Sequence, residues 1–286
     1  MQFKTILTLI SFTLVSEVIS IPTNNNNSIT SNSSGKKRNF RIVGGEEVKD
    51  SKQYSSFLVS LTENGSHSCA GTLIHGNMVL TAAHCAPEQN QIMEWKAVLN
   101  RYNQKVLPES EGATIYDIME VHVHPKFDRK KAKNDISLWK INRPFEQKVG
   151  VLYDIKDVLN KQDNVQLKVI GWGLTSEEGE PADKLMQVNL PLVNNQQCNE
   201  IFNNNKIKID KNSQFCAGDL KGKDACEGDS GGPILLDNFN VPVITGIVSY
   251  GIKCGSTIYP GVYTKVNHFL SYIAEVVKKS NPEFVY

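Results

Sequence analysis

The sequence lacks an excess of either charge. Its 31 basic and 30 acidic side chains leave a formal net charge of +1, so nothing electrostatic points to a nucleic-acid partner. It also lacks an apolar run of membrane-spanning length: the stretch Ile6–Val15 is too short to cross a bilayer. It has no Cys-x-x-Cys pair, which argues against a structural zinc site, and no internal repeat. No metal and no cofactor are expected. What the chain does have is 286 residues, 40% of them hydrophobic, enough for a large core in one extended domain or two smaller ones.

The charge is unevenly placed. Lys4, Lys36, Lys37, Arg38 and Arg41 face only Glu17 in residues 1–41, leaving 26 basic against 29 acidic side chains in the remainder. The basic start at Lys4, the apolar Ile6–Val15 and the small residue Ser20 read as a signal peptide over residues 1–20. The product is therefore expected to be secreted and extracellular. Residues 21–41 are Asn- and Ser-rich and end in a basic cluster. They hold too little apolar surface to fold alone and read as a propeptide. Asn-x-Ser sequons at Asn26, Asn32 and Asn64 fit a secretory route but also arise by chance in Asn-rich sequence. An even count of six cysteines in such a chain suggests three disulfides, with 15 possible connectivities.

From Ile42 to Tyr286 the texture changes to short apolar runs between turn residues: Phe57–Leu61, Met78–Leu80, Ile136–Ile141, Val165–Trp172, Val188–Leu192, Val243–Tyr250 and Gly261–Val266. Runs of this length and Val/Ile content predict an all-β barrel or sandwich. Near the end, Phe269, Leu270, Tyr272, Ile273, Val276 and Val277 recur at helical spacing. That predicts a short terminal helix with Asn267 as its cap, Lys278 and Lys279 at its negative end and Pro282 beyond it.

Three fragments carry chemistry. Gly228-Asp229-Ser230-Gly231-Gly232-Pro233 holds a serine among glycines that let the backbone turn its N–H groups toward a substrate. A serine hydroxyl is a weak nucleophile and needs a base. Thr81-Ala82-Ala83-His84-Cys85 offers one, with a cysteine to pin it. Asn134-Asp135-Ile136-Ser137-Leu138 offers an acid at the mouth of an apolar segment, where an unpaired carboxylate would be costly. Taken singly, each is modest evidence: a Gly-rich turn containing serine is more often only a turn, and a lone histidine is usually a surface or core residue.

Together, in the order His84, Asp135, Ser230, they resemble the chymotrypsin-family serine proteases, from Ile42 nearly to the end of the chain. The resemblance implies two six-stranded antiparallel β-barrels meeting near residue 150, with the site between them. It implies disulfides Cys69–Cys85, Cys198–Cys216 and Cys226–Cys254. His84 would act as base, Asp135 would orient it, and the Gly228 and Ser230 N–H groups would hold the oxyanion. Asp224 would form the floor of the specificity pocket, with Ser249, Gly251 and Gly261 on its walls. That arrangement favours an arginine or lysine before the cut bond. Cleavage after Arg41 would free the Ile42 amine to pair with Asp229. Tyr250 stands where tryptophan is usual, and Ala225 removes a hydroxyl beside Asp224; the second change predicts a tilt toward Arg over Lys.

The expected partners are protein or peptide substrates, an activating protease and protein inhibitors, around a monomer. A secreted protease-like binder without catalysis is the alternative, although such relatives usually lose a triad member. His122 and His124 alternate as metal ligands can, yet they sit in the segment that leads to Asp135. Glu109-Ser110-Glu111 lies near where some members of the family bind calcium, and sequence does not align that loop.

Overall fold

The computed structural model describes residues 44–50, 52–145, 149–152, 165–176, 178–236 and 242–282. The expected signal peptide and propeptide, the sequons at Asn26 and Asn32, and the Arg41–Ile42 bond lie outside the described residues.

A two-residue strand, β1 (Glu46–Glu47), precedes two barrels. The first comprises β2 (Leu58–Glu63), β3 (Ser66–His75), β4 (Met78–Thr81), β5 (Trp95–Leu99), β6 (Thr114–Val123) and β7 (Ser137–Ile141), closed in the order β2-β3-β4-β7-β6-β5. The short β8 (Val151–Leu152) leads into the second. There β9 (Gln166–Gly171), β10 (Met186–Val193), β11 (Gln214–Ala217), β12 (Pro233–Leu236), β13 (Val243–Tyr250) and β14 (Gly261–Lys265) run β9-β10-β11-β14-β13-β12. β9 pairs with both β10 and β12, which closes this ring too. Closure removes the exposed edges that an open sheet would present. The expected pair of six-stranded antiparallel barrels is what the chain forms.

Each barrel is filled from within. Trp139, Leu61, Leu73, Met78 and Leu80 are essentially fully buried in the first, with Trp95 edge-on to Trp139 at 5.3 Å. Leu167, Val169, Leu190, Phe215, Ile234 and Tyr263 fill the second. Each such aliphatic or aromatic side chain contributes roughly 1.5–3 kcal/mol by leaving water. Terminal segments tie the barrels together: β1 pairs with β10 of the second, and the C-terminal helix packs its apolar face on the core of the first.

That helix spans Leu270–Ser280 with Ile273 and Val276 buried. Its start corrects the sequence reading. Asn267 lies inside a 3-10 turn, Val266–Phe269, and the helix has no side-chain cap; the tight turn delivers the chain where a cap was expected. Its far end is held by Lys140, whose Nζ donates to the Ser280 carbonyl at 2.7 Å, and by Asn77, which donates to Asn281 at 2.7 Å.

Candidate active site

Asp135 ends the approach to β7, behind Asn134, whose φ is +52°. It is 1% exposed, a position that costs several kcal/mol for a carboxylate lacking partners. Three donors supply them. The His84 backbone N–H donates to Oδ1 at 2.9 Å, and the His84 ring meets Oδ2 at 2.8 Å through Nδ1. Ser249 Oγ, from the second barrel, donates to Oδ2 at 2.6 Å. Thr264 Oγ1, also from the second barrel, donates to the Asp135 backbone carbonyl at 2.9 Å. An ionised carboxylate only accepts, so Nδ1 carries the imidazole proton and Nε2 is left with its lone pair.

His84 sits in the 3-10 turn Ala83–Cys85 that follows β4. The Cys69–Cys85 disulfide fastens that turn to β3, with Cα atoms 6.3 Å apart. Cys198–Cys216 and Cys226–Cys254 complete the pairing that the resemblance implied.

Ser230 is half-buried, between Gly228 at φ +93° and Gly231 at φ +78°. These are left-handed conformations that favour glycine. A side chain at Gly231 would also collide with Thr81 and the Ala70 carbonyl. The loop is fixed where the Ala70 N–H donates to the Ser230 carbonyl at 2.8 Å and the Gly231 N–H donates to the Val248 carbonyl at 2.9 Å. Among the described residues, neither the Gly228 nor the Ser230 N–H donates to a backbone carbonyl. Two donors of this loop are thus left for a ligand.

A pocket of about 330 Å³ opens beside Ser230, and its lining includes Asp224, Ser249, Gly251 and Gly261. Asp224 is 3% exposed and accepts the Ala225 N–H at 2.9 Å. Burial pushes its carboxyl up to about 8, with the nearby Asp229 and Asp219 adding to the rise. A Cβ at Gly261 would stand 2.9 Å from both Asp224 Oδ1 and the Tyr263 hydroxyl, whereas one at Gly251 would meet nothing within 4 Å. Glycine is therefore required on one wall and merely leaves room on the other.

Asp229 is fully buried. Its carboxylate accepts the Gly173 N–H at 2.8 Å and the Cys226 N–H at 3.0 Å, and burial pushes it up to about 6. Among the described residues it has no cationic partner. Gly44 has φ +75°, and a side chain there would strike Lys223, the neighbour of Asp224. Gly44 therefore lies against Lys223 of the second barrel.

Sequence reasoning missed His67. Its Nε2 donates to the Gly228 carbonyl at 2.9 Å, and its Nδ1 accepts from Ser60 Oγ at 2.8 Å. Burial lowers it to about 4, so it is neutral and orients the peptide beside the Ser230 loop. The usable signal was its place two residues before Cys69, next to the cysteine that clamps His84.

Other candidates resolve differently. Glu111 binds Arg101 at 2.7 Å, and Arg101 also donates to the Val106 carbonyl at 2.8 Å and Gln104 Oε1 at 3.3 Å. That loop closes around its own guanidinium, while Glu109 and Ser110 face solvent. His122 contacts Glu120 at 2.8 Å and Ser280 at 3.0 Å, and His124 packs edge-on to Tyr272 at 4.6 Å. The sequon residue Asn64 occupies an exposed turn at φ +49°.

A sequence model of the family described as Trypsin matches residues 42–273. A vitellin-degrading protease of Bombyx mori is 33% identical over 243 residues, covering 82% of this chain and 85% of its own length. A granzyme B of Rattus norvegicus is 35% identical over 248 residues, covering 84% and 92%. A trypsin of Phaedon cochleariae is 33% identical over 243 residues, covering 83% and 88%.

Proposed function

The chain belongs to the trypsin family of serine proteases, and from that premise we propose that it is the zymogen of a secreted endopeptidase that cuts after arginine or lysine. The observation that carries the specificity is Asp224, a buried carboxyl at a pocket that also contains Ser230. A guanidinium or ammonium on a long apolar stem satisfies such a site, and an aromatic residue leaves the carboxyl without a partner.

In this reading His84 Nε2 takes the Ser230 Oγ proton as the hydroxyl oxygen attacks the substrate carbonyl. Asp135 holds the ring and stabilises the imidazolium. The Gly228 and Ser230 N–H groups receive the negative oxygen. His84 then returns the proton to the leaving amine. Water, activated by the same nitrogen, releases the acyl group and restores Ser230.

Activation follows from Asp229. Cutting after Arg41 creates an α-amino group at Ile42, cationic below about 8. Pairing with it would lower the Asp229 carboxyl from its raised value and lock the loop that carries Ser230. The position of Gly44 beside Lys223 supports that path for the new terminus. The activating protease and protein inhibitors are partners of the same kind of chemistry, and the enzyme acts as a monomer with its protease domain beginning at Ile42.

Chromogenic peptides ending in Arg, Lys or Phe, assayed before and after limited trypsin treatment, test this. Hydrolysis should appear only after the cut, favour Arg over Lys because Ala225 supplies no hydroxyl, and be absent from Ser230→Ala. Equal kcat/KM for Arg and Lys removes the Ala225 argument. No hydrolysis after verified cleavage at Arg41 leaves the chain a protease-like binder.

A further inference from the structure

Seven cations sit on two loops, one from each barrel. One hairpin carries Arg129, Lys130, Lys131 and Lys133. It is closed on itself by reciprocal backbone hydrogen bonds between Asp128 and Lys133, at 3.0 and 3.2 Å. A loop of the other barrel, following the helix Asn195–Asn203, carries Lys206, Lys208 and Lys211, all exposed. Of these seven cations, only Lys131 has a carboxylate within ion-pair distance among the described residues, Asp128 at 3.5 Å. The chain beyond Arg41 has more acidic than basic side chains, so this concentration is local.

Gln214 ties the two loops together. It is 1% exposed. Its Nε2 donates to the Ala132 carbonyl at 2.9 Å, and its Oε1 accepts the Asp210 N–H at 2.9 Å. The Gln214 amide also lies beside the Tyr250 hydroxyl. Tyr250 and Gly251 line the pocket mouth. Arg129 reaches back to the His84 carbonyl at 3.4 Å. One buried side chain thus fixes two exposed basic loops, one from each barrel, beside Tyr250.

We propose that these loops form a docking surface for an acidic stretch of the substrate polypeptide, upstream of the bond that is cut. The proposal rests on the peptidase reading, in which the side chain before the scissile bond enters the pocket that Tyr250 and Gly251 line. Charges of opposite sign then meet outside the pocket, which raises association and discriminates among proteins that share a basic cut site. Exposed pairs of this kind weaken in salt because the screening length falls to about 3 Å at 1 M.

The test uses Ser230→Ala protein cut after Arg41 by added trypsin, and two fluorescent peptides with the same arginine. In one, the residues three to eight places upstream of the cut are Asp and Glu; in the other they are Asn and Gln. The acidic peptide should bind roughly tenfold more tightly at low salt, and the difference should collapse at high salt. It should also collapse in the Lys130→Gln/Lys208→Gln/Lys211→Gln variant, whose hydrolysis of a short arginyl chromogenic substrate on the Ser230 background stays unchanged. Equal binding of the two peptides, or a preference untouched by those substitutions, overturns the docking surface. So does capture of heparin on these lysines without a peptide preference, which makes the partner a sulfated polysaccharide. Failure of the short substrate counts against the peptidase reading, whereas the binding comparison judges the docking surface.

Discussion

Among single residues, burial pushes two carboxylates, Asp224 and Asp229, up to about 8 and about 6. Asp224 in the empty pocket is raised from 3.8 to about 8. The folded protein therefore prefers its protonated form, and ionising it costs stability progressively as pH rises from about 4 toward 8. An entering cation reverses the preference, because an opposite charge favours the carboxylate. Binding of benzamidine, a small amidinium, should thus release up to about one proton per site at neutral pH and weaken as pH falls. Calorimetry in two buffers of different ionisation enthalpy reads this directly; a binding heat independent of buffer at pH 7 would contradict the environment assigned to Asp224. Arg101 illustrates the opposite case. Its guanidinium satisfies Glu111 inside a loop that sequence could not align with the calcium-binding loop of some family members. The identity of the pair could not be read from spacing because its members lie ten residues apart and meet only when the loop closes.

At the scale of elements, what sequence revealed depended on how far each strand is buried. β4 and β13 are almost wholly buried and stood out as continuous apolar runs. β6 alternates buried and exposed positions, with Asp117 and Glu120 on its outer side, and β3 begins with Ser66, His67 and Ser68; neither gave an apolar run. The helix Asn195–Asn203 went unseen because it buries only Cys198 and Phe202 and is capped by Asn194. The candidate triad and pocket were legible because each member lies in a short motif. His67 was not, since its role depends on contact with Gly228, 161 residues away. Elements also differ in what they do for the site. Cys69–Cys85 closes 16 residues and holds the turn that carries His84; Cys198–Cys216 closes 18. Removing either should cost about 3 kcal/mol in stability. Only Cys69→Ala/Cys85→Ala should also lower kcat, while Cys198→Ala/Cys216→Ala leaves it within about twofold. Urea unfolding paired with steady-state kinetics separates the two, and equal losses of kcat would show that the clamp on His84 has no special part.

At the scale of the molecule, the site belongs to neither barrel. Asp135 and His84 come from the first, Ser230 and Asp224 from the second, and Ser249 and Thr264 bond Asp135 across the boundary. That arrangement makes the geometry sensitive to how the barrels seat, which β1 and the C-terminal helix help to fix. Asp229 lies next to Ser230 in sequence and is buried with only backbone donors among the described residues, so it would be the lever of the proposed activation. In the proposed reaction, Ser230 attacks a carbonyl whose preceding side chain is a cation seated on Asp224. Labelling tests it most directly. The protein cut after Arg41 is treated with a phosphonate carrying an amidinophenyl group or with its phenyl counterpart, and the modified peptide is located by mass spectrometry. The account predicts a single adduct on Ser230, formed by the amidine at least about a hundredfold faster than by the phenyl compound, and none in Asp224→Ala at comparable doses. Equal labelling by both reagents, or an adduct elsewhere, would contradict it.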